Sequence, residues 1–493
     1  MSWRDSLLLY RRAFMSETLK EKTAKGLFWG GMNNFVQQVV GLAFGIILGR
    51  LLSPSDYGMI AMITIFSLIA NAIQNSGFGA ALTNLDHPTD EDYNSVFWFN
   101  VTASTTMYVI LFFCAPLIAD FYHTPALVPL SRYVFLSFVF SSFATAPYAY
   151  LFKNFQAKLQ TKSGIIAVVT SSVVGAVLAF LDFGYWALAT QSLVFVGMSS
   201  IMAWHYSAWH PTLHVDYRPA LRMFKFSCKI LATTIVTQIN NNVLNILLGH
   251  YFSAHDTGNY NQAYQWDSKC FNLVQGMVNQ VAQPVLVDLR SNQGRQVQAL
   301  RKLMRFTSFI AFPLLLGFGL VAREFIVLAI TAKWLPSAEL LQLLVISGAT
   351  FPLVSLLSSL VISEGRSGLY FWITASLGVV ELGLMLLLYP YGIRTMVIAY
   401  VLVNIVWLFV WHFFVNRLVG YSLGLFLKDT LPFALAALGV MAATHILTSG
   451  ISNLWLLLFS RIIIAVLLYY AVMRVARVKI LQECIDFICK KKR

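Results

Sequence analysis

Six residues set alternately four and three apart, Gln265, Lys269, Asn272, Gly276, Asn279 and Gln283, carry the densest polar pattern in a chain that is otherwise 58% hydrophobic. That spacing lines one face of an α-helix. Its chemistry is binding: an ammonium neutralises an anion, and carboxamides hydrogen-bond hydroxyls and other neutral polar groups. Further amides stand nearby in apolar stretches. Gln238, Asn241, Asn242 and Asn245 form one set. Asn34, Gln37 and Gln38, with Gly41 and Gly45, form a second, extended by Asn71, Gln74 and Asn75. Two readings of the amides stay open, a hydrated cavity wall and hydrogen bonds that glue helices together. Lys269 favours the cavity, because an ammonium at membrane depth costs roughly 2.5–3.5 kcal/mol on the insertion scale. Its alternative is an ion pair with Asp267 or another carboxylate. Lys229 and Arg132 are further candidates to face an anionic ligand, although cations near span ends also snorkel to the interface, as do Arg323 and Arg461. Asp267 and Glu381 are the candidate carboxylates for a coupling proton or cation, with simple pairing as the alternative.

Several chemistries lack their residues. No G-x-x-x-x-G-K-[ST] loop is present for a nucleotide, and no Ser/His/Asp or paired-carboxylate arrangement can be argued. The nine histidines and five cysteines show neither metal nor disulfide spacing. No cofactor, no metal site and no catalytic residue is expected, and the protein is expected not to be an enzyme.

These residues must be positioned by membrane helices. Only 11% of the 493 residues are charged, against about a quarter in a soluble protein, so lipid replaces water around most of the surface. Apolar runs of about 20 residues place spans near 27–49, 58–80, 94–119, 128–152, 164–181, 185–205, 226–249, 260–285, 304–331, 338–362, 369–390, 395–415, 429–448 and 454–474. With an inside N-terminus, 27 Lys and Arg fall on the cytoplasmic side and three, Arg50, Lys333 and Arg394, on the outside. The positive-inside rule therefore puts both termini in the cytoplasm. The basic excess, a formal charge of +14, is then a topology signal, and no nucleic-acid partner is needed. The apolar run 7–10 is too short for a signal peptide, so the basic segment 1–26 reads as retained.

The chain also repeats itself at a separation of 200 residues. L-G-R-L-L-S-P-S-D-Y-G from Leu48 matches L-G-H-Y-F-S-A-H-D-T-G from Leu248 at Leu, Gly, Ser, Asp and Gly, and Gln38 falls opposite Gln238. Ser or Asp in such a turn caps the next helix. Each copy lies between the first and second spans of a six-span set, which reads as a parallel repeat. The expected fold is all-α and polytopic, with about 14 transmembrane helices. An N-lobe spans 27–205, a C-lobe 226–415, two added helices 429–474, and a basic cytoplasmic tail 475–493.

Five stretches together resemble a known family. K-T-A-K-G-L-F-W from Lys22, the turn from Leu48 and T-D-E-D-Y-N-S-V-F-W-F-N from Thr89 look like the opening of bacterial polysaccharide transporters. T-G-N-Y-N-Q-A-Y at Thr257 and K-W-L-P-S-A-E-L-L-Q-L-L at Lys333 look like their later motifs. These O-antigen and exopolysaccharide flippases belong to the multidrug/oligosaccharidyl-lipid/polysaccharide exporter superfamily, and the resemblance covers roughly residues 20–420. It implies a monomeric inner-membrane protein that flips a lipid-linked oligosaccharide, typically on polyprenyl pyrophosphate, by alternating access. It also implies membrane lipids and polysaccharide polymerase or assembly proteins as partners. The competing readings are a multidrug or small-cation exporter of the same superfamily, and a membrane enzyme or scaffold of polysaccharide assembly.

Overall fold

The computed structural model describes residues 19–75, 82, 85, 88–213 and 216–483, without the side chains of 19–28, 73–75, 218–230 and 232. Among the described residues the chain forms fifteen α-helices and no strand. In order these are α1 (Leu19–Leu51), α2 (Pro54–Asn75), α3 (Asp90–Phe121), α4 (Leu127–Lys153), α5 (Ala157–Phe180), α6 (Tyr185–Tyr206), α7 (Arg218–Tyr251) and α8 (Ala254–Asp288). The remainder are α9 (Gln293–Ile330), α10 (Leu335–Gly348), α11 (Phe351–Ser363), α12 (Ser367–Leu388), α13 (Ile393–Val419), α14 (Leu423–Leu447) and α15 (Leu454–Val475). Twelve spans within them, with α10 and α11 counted as one, are long and apolar enough to cross a membrane. Helices α7 and α8 are not among the twelve, and α8 is the one that carries the Lys269 face.

The single span expected over 338–362 is two helices, interrupted at Ala349 and Thr350. Pro352 sits in the first turn of α11, where its missing N–H costs nothing, and it disfavours helical backbone just upstream.

The helices sort into two compact units, 1–52 with 63–238 and 53–62 with 239–493. Helix α2 contributes its first turns to the second unit and the rest to the first. In the first unit, small residues let helices approach, which is how bundles pack where lipid supplies no hydrophobic drive. A side chain at Gly164 of α5 would meet Asn33 Oδ1 of α1 at 2.6 Å, and one at Gly175 would meet Gln191 of α6 at 2.9 Å. Helix α3 starts with a reciprocal capping box between Thr89 and Asp92. Its first turns pack into an aromatic cluster of Tyr93, Phe97, Trp204 and Trp209.

In the second unit the two copies of the repeated turn meet. Ser53 Oγ donates to Asp56 Oδ2 at 2.6 Å and accepts from the Asp56 N–H. Ser253 and Asp256 do the same, at 2.7 and 3.1 Å. The starts of α2 and α8 then touch backbone to backbone. A Cβ on Gly58 would sit 1.7 Å from the Ala254 carbonyl oxygen, and one on Gly258 would sit 1.8 Å from that of Pro54. The reciprocity, 58 with 254 and 258 with 54, is that of a local pseudo-two-fold. Buried Trp334 packs edge-on against Tyr57 beside this crossing, ring centroids 5.2 Å apart.

Buried charges fasten α14 and α15 to α9. Asp429, 0% exposed, accepts from Arg301 Nε at 2.7 Å, Arg305 Nε at 2.6 Å and the Tyr421 hydroxyl at 3.1 Å. Burial and the Asp429 carboxylate hold Tyr421, in the turn between α13 and α14, far above the usual phenol range, so it stays a donor. Arg461, expected to snorkel, is instead buried and paired with Glu324 of α9 at 2.8 Å. Its guanidinium also donates to the Leu320 carbonyl at 3.0 Å and to Thr448 Oγ1 at 3.3 Å. Removing one member of such a pair leaves an uncompensated charge, at a cost of about 3–5 kcal/mol, whereas removing both costs little. Arg461→Leu is expected to lower the melting temperature in detergent markedly, and Arg461→Leu/Glu324→Leu to recover most of the loss. Additive losses in this double-mutant cycle, followed by thermal unfolding, would contradict the pairing.

Candidate functional site

Helix α8 carries the candidate site residues Gln265 to Gln283, and its two sides differ. On one side Gln265, Asn272, Gly276, Asn279 and Gln283 are exposed, in the four-three register expected from the sequence. Lys269 lies among them half-buried, its Nζ 4.1 Å from the centroid of the buried Trp266 ring, an attraction worth about 0.5–2 kcal/mol. The stripe is fixed to the rest of the unit at Asn279, whose Oδ1 accepts from Ser355 Oγ of α11 at 2.6 Å. Toward the Asp288 end the helix stands increasingly free. Leu273, Met277 and Val281 are also exposed there, while the stretch from Thr257 to Tyr260 is buried. A cavity of about 580 Å³ opens beside Asn279, Gln283, Pro284, Val287 and Asp288.

The opposite side of α8 is a buried acidic pocket. Asp267 is 1% exposed, and among the described residues neither of its carboxylate oxygens has a hydrogen-bond partner. Its partner is therefore not Lys269, two residues on and turned to the other face. The carboxylate lies instead against Gly348, where a Cβ would come within 2.3 Å of Oδ1, beside the interruption between α10 and α11. Glu381 of α12, also 1% exposed, accepts from Asn404 Nδ2 of α13 at 2.8 Å. Tyr260, Tyr264 and Tyr400 lie within electrostatic reach of both carboxylates. Two acids and three phenols in one dry cluster can take up a proton or a small cation, and nothing in it is a nucleophile with a base. The tyrosines were missed in the sequence, yet the signal was there: Tyr260, Tyr264 and Asp267 follow each other at four and three.

The other expected site residues divide. Asn34 and Gln38 on α1 and Asn241 on α7 are exposed, and Gln238 is half-buried. Gln37 faces α5, its Nε2 donating to Asn33 Oδ1 at 3.1 Å and its amide packed over Gly164. Asn245 is buried, its Nδ2 3.4 Å from Asn242 Oδ1, so its amide serves the interior of the second unit. Arg132 is engaged by α3, with its guanidinium 4.2 Å over the Phe112 ring and its Nε donating to the Phe112 carbonyl. Asn240, which the amide pattern passed over, ties α7 to α12 by donating to the Thr374 carbonyl at 2.7 Å over Gly378. The side chains of Lys229, Gln74 and Asn75 lie outside the described residues, as do that of Cys228, all of Cys484 and Cys489, and most of segment 1–26 and of the tail. The described residues contain no cluster of three or more metal-ligating side chains.

Comparison with known proteins places this arrangement. The pattern of a family described as polysaccharide biosynthesis protein matches residues 47–339. The teichuronic acid biosynthesis protein TuaB of Bacillus subtilis (strain 168) is 23% identical over 430 residues, covering 86% of this chain and 89% of that protein. The lipopolysaccharide biosynthesis protein WzxC of Escherichia coli (strain K12) is 22% identical, over 72% of each chain. The succinoglycan biosynthesis transport protein ExoT of Rhizobium meliloti (strain 1021) is 25% identical, over 78% of this chain and 76% of its own. Among solved structures, the lipid II flippase MurJ in an inward closed conformation superposes with a TM-score of 0.74 at 16% identity, covering 92% of this chain and all of that one. An inward-facing multidrug resistance transporter of the MATE family and MOP superfamily gives 0.64 at 15% identity, covering 78% of this chain and 94% of that one. The helical fold, the repeated turn and a family match over more than half of the chain agree: this is a polytopic membrane protein of the polysaccharide biosynthesis family, built on the fold of MurJ and the MATE transporters.

Proposed function

We propose that the chain is a flippase that moves a lipid-linked oligosaccharide, carried on polyprenyl pyrophosphate, from the cytoplasmic to the outer leaflet of the bacterial inner membrane. The observation that carries this reading is the exposed polar face of α8 with Lys269 at its centre. Five exposed polar or small positions flanking a half-buried lysine at membrane depth are costly against lipid, and inexpensive against water and a hydroxyl-rich ligand. An ammonium held half-buried over a tryptophan is a point charge suited to a pyrophosphate, and the flanking amides suit the sugars.

The remaining expectations follow as parts of the same proposal. The fourteen spans include α7 and α8, and both termini are cytoplasmic, which is supported by the 27-to-three bias in Lys and Arg. The repeated turns then lie at the outer face and the free end of α8 at the inner face, so the cavity beside Gln283 and Asp288 faces the cytoplasm. Alternation of the N-lobe (27–205) and the C-lobe (226–415) would move the opening outward, and the backbone crossing at Gly58 and Gly258 would separate. Asn34, Gln38, Gln238 and Asn241 are assigned to the cargo path with the α8 stripe. Lys229 and Asn75 are assigned there on sequence alone. Asp267 and Glu381 would hold the coupling proton or cation.

The exporter alternative is less well supported, because Asp267 and Glu381 are buried behind α8, away from the exposed stripe. Deletion of the protein is expected to raise the cytoplasmic pool of lipid-linked oligosaccharide and abolish surface polysaccharide. An unchanged pool with raised sensitivity to cationic drugs would favour the exporter.

Three substitutions test the parts. Lys269→Ala, at wild-type expression, is expected to cut transport about tenfold or more, the scale of one lost charge-assisted contact; full transport would remove the role. Asp267→Asn breaks no hydrogen bond, so the melting temperature is expected to hold or rise while transport loses its dependence on an ion gradient. A fall in stability with gradient dependence intact would make Asp267 structural. Gly258→Val cannot form the crossing and is expected to shift an outer-face cysteine reporter at Ser55 toward rapid labelling. Unchanged labelling would show that the crossing does not govern outer access.

A further inference from the structure

The end of α9 near Arg301 has a feature that the cargo path does not use. Arg301, Lys302 and Arg305 of α9 and Lys479 beyond α15 line a cavity of about 250 Å³, opposed among its described lining residues by Glu483. Behind it the buried Asp429 accepts from Nε and Nη2 of Arg301 and from Nε of Arg305, which leaves their remaining guanidinium N–H groups for a further ligand. Lys302 and Glu483 pair at 2.8 Å. Among the described residues, four cations against two acids leave the site net positive.

The same segment also walls an apolar groove. Ile480 lines the basic cavity and packs with Met473 and Tyr469, and Leu481 lines a groove of about 510 Å³ with Phe309, Pro313, Gly317 and Ala465. A basic cavity and an apolar groove walled by the neighbouring residues Ile480 and Leu481, beside α9 and α15, match an amphiphile with an anionic head and a hydrocarbon chain. None of these helices carries the polar stripe of α8, so the site is separate from the one proposed for cargo.

We infer that this is a docking site for an anionic glycerophospholipid, its phosphate among Arg301, Arg305, Lys302 and Lys479 and one acyl chain in the groove between α9 and α15. Basic pockets between membrane helices on the cytoplasmic side bind such headgroups, and each cation contributes about a tenfold preference at most. The assignment to the cytoplasmic leaflet rests on the orientation proposed above, whereas the binding chemistry does not. A bound lipid would brace α14 and α15 against α9, adding to the ion pairs of Asp429 and Arg461.

The test is native mass spectrometry of the purified full chain titrated with phosphatidylglycerol, phosphatidylcholine or polyprenyl phosphate, a readout independent of transport. Wild type is expected to hold phosphatidylglycerol about tenfold more tightly than phosphatidylcholine. Lys302→Gln/Lys479→Gln, both surface positions, is expected to bring the two lipids close to parity. Val466→Trp, which fills the groove from its exposed rim, is expected to weaken both phospholipids while keeping the headgroup preference. Equal binding of the two phospholipids by wild type would overturn the proposal, as would a preference untouched by the double substitution. Tighter binding of polyprenyl phosphate, lost in the same variant, would assign the site to cargo and likewise overturn it.

Discussion

The crossing of α2 and α8 is the constraint on which the second unit is built. Two helix starts can lie carbonyl against Cα only if neither presents a side chain, and Gly58 and Gly258 meet that demand in both directions. Each helix start is fixed by its own Ser–Asp cap, Ser53 with Asp56 and Ser253 with Asp256, so the crossing joins two rigid ends. The seating of Trp334 against Tyr57 lies beside the place where these ends meet. A contact made of backbone and two caps leaves no room for a side chain at either glycine.

A second constraint is the medium. Hydrocarbon gives no partner to a polar group, so every charge at membrane depth must find its own solution. Asp429 is held by two arginines and a phenol, and Arg461 by Glu324, Thr448 and a backbone carbonyl. Apart from Glu324 Oε2, which has no hydrogen-bond partner among the described residues, these groups are satisfied by the protein, and they read as construction. Asp267 and Lys269 differ. The acid is buried without a hydrogen bond, and the base rests on a tryptophan face beside exposed amides. Groups left unsatisfied by the protein itself are the ones with capacity for something else. The geometry of α8 puts these two groups on opposite sides of one helix.

Much of this was legible in the chain because the bilayer imposes simple rules. Runs of about 20 apolar residues announced most helices. The four-three register of Gln265 to Gln283 announced a face, and the register survives in the exposure of those residues. The turn repeated at 200 residues announced two equivalent corners, down to the same cap chemistry. What failed was partner assignment. Gln37 and Asn245 carry the same side-chain chemistry as Gln38 and Asn241 and sit a step or a turn away, yet they face neighbours within their own unit. Arg461 looked like a snorkelling cation because its buried partner, Glu324, is 137 positions upstream.

The sequence by itself therefore determined the class of the fold, the helical faces that carry polar chemistry and the two capped turns, since all three follow from local periodicity and from the cost of burying charge in lipid. Only the tertiary structure decided which polar residues are satisfied by the protein and which stay open. That Gly58 meets Ala254, that Asp267 abuts the break at Gly348 and that Tyr400 joins Tyr260 beside Glu381 are long-range packing outcomes. No local pattern encodes them, because an amide or a carboxylate is the same residue whether its partner is another helix or a ligand.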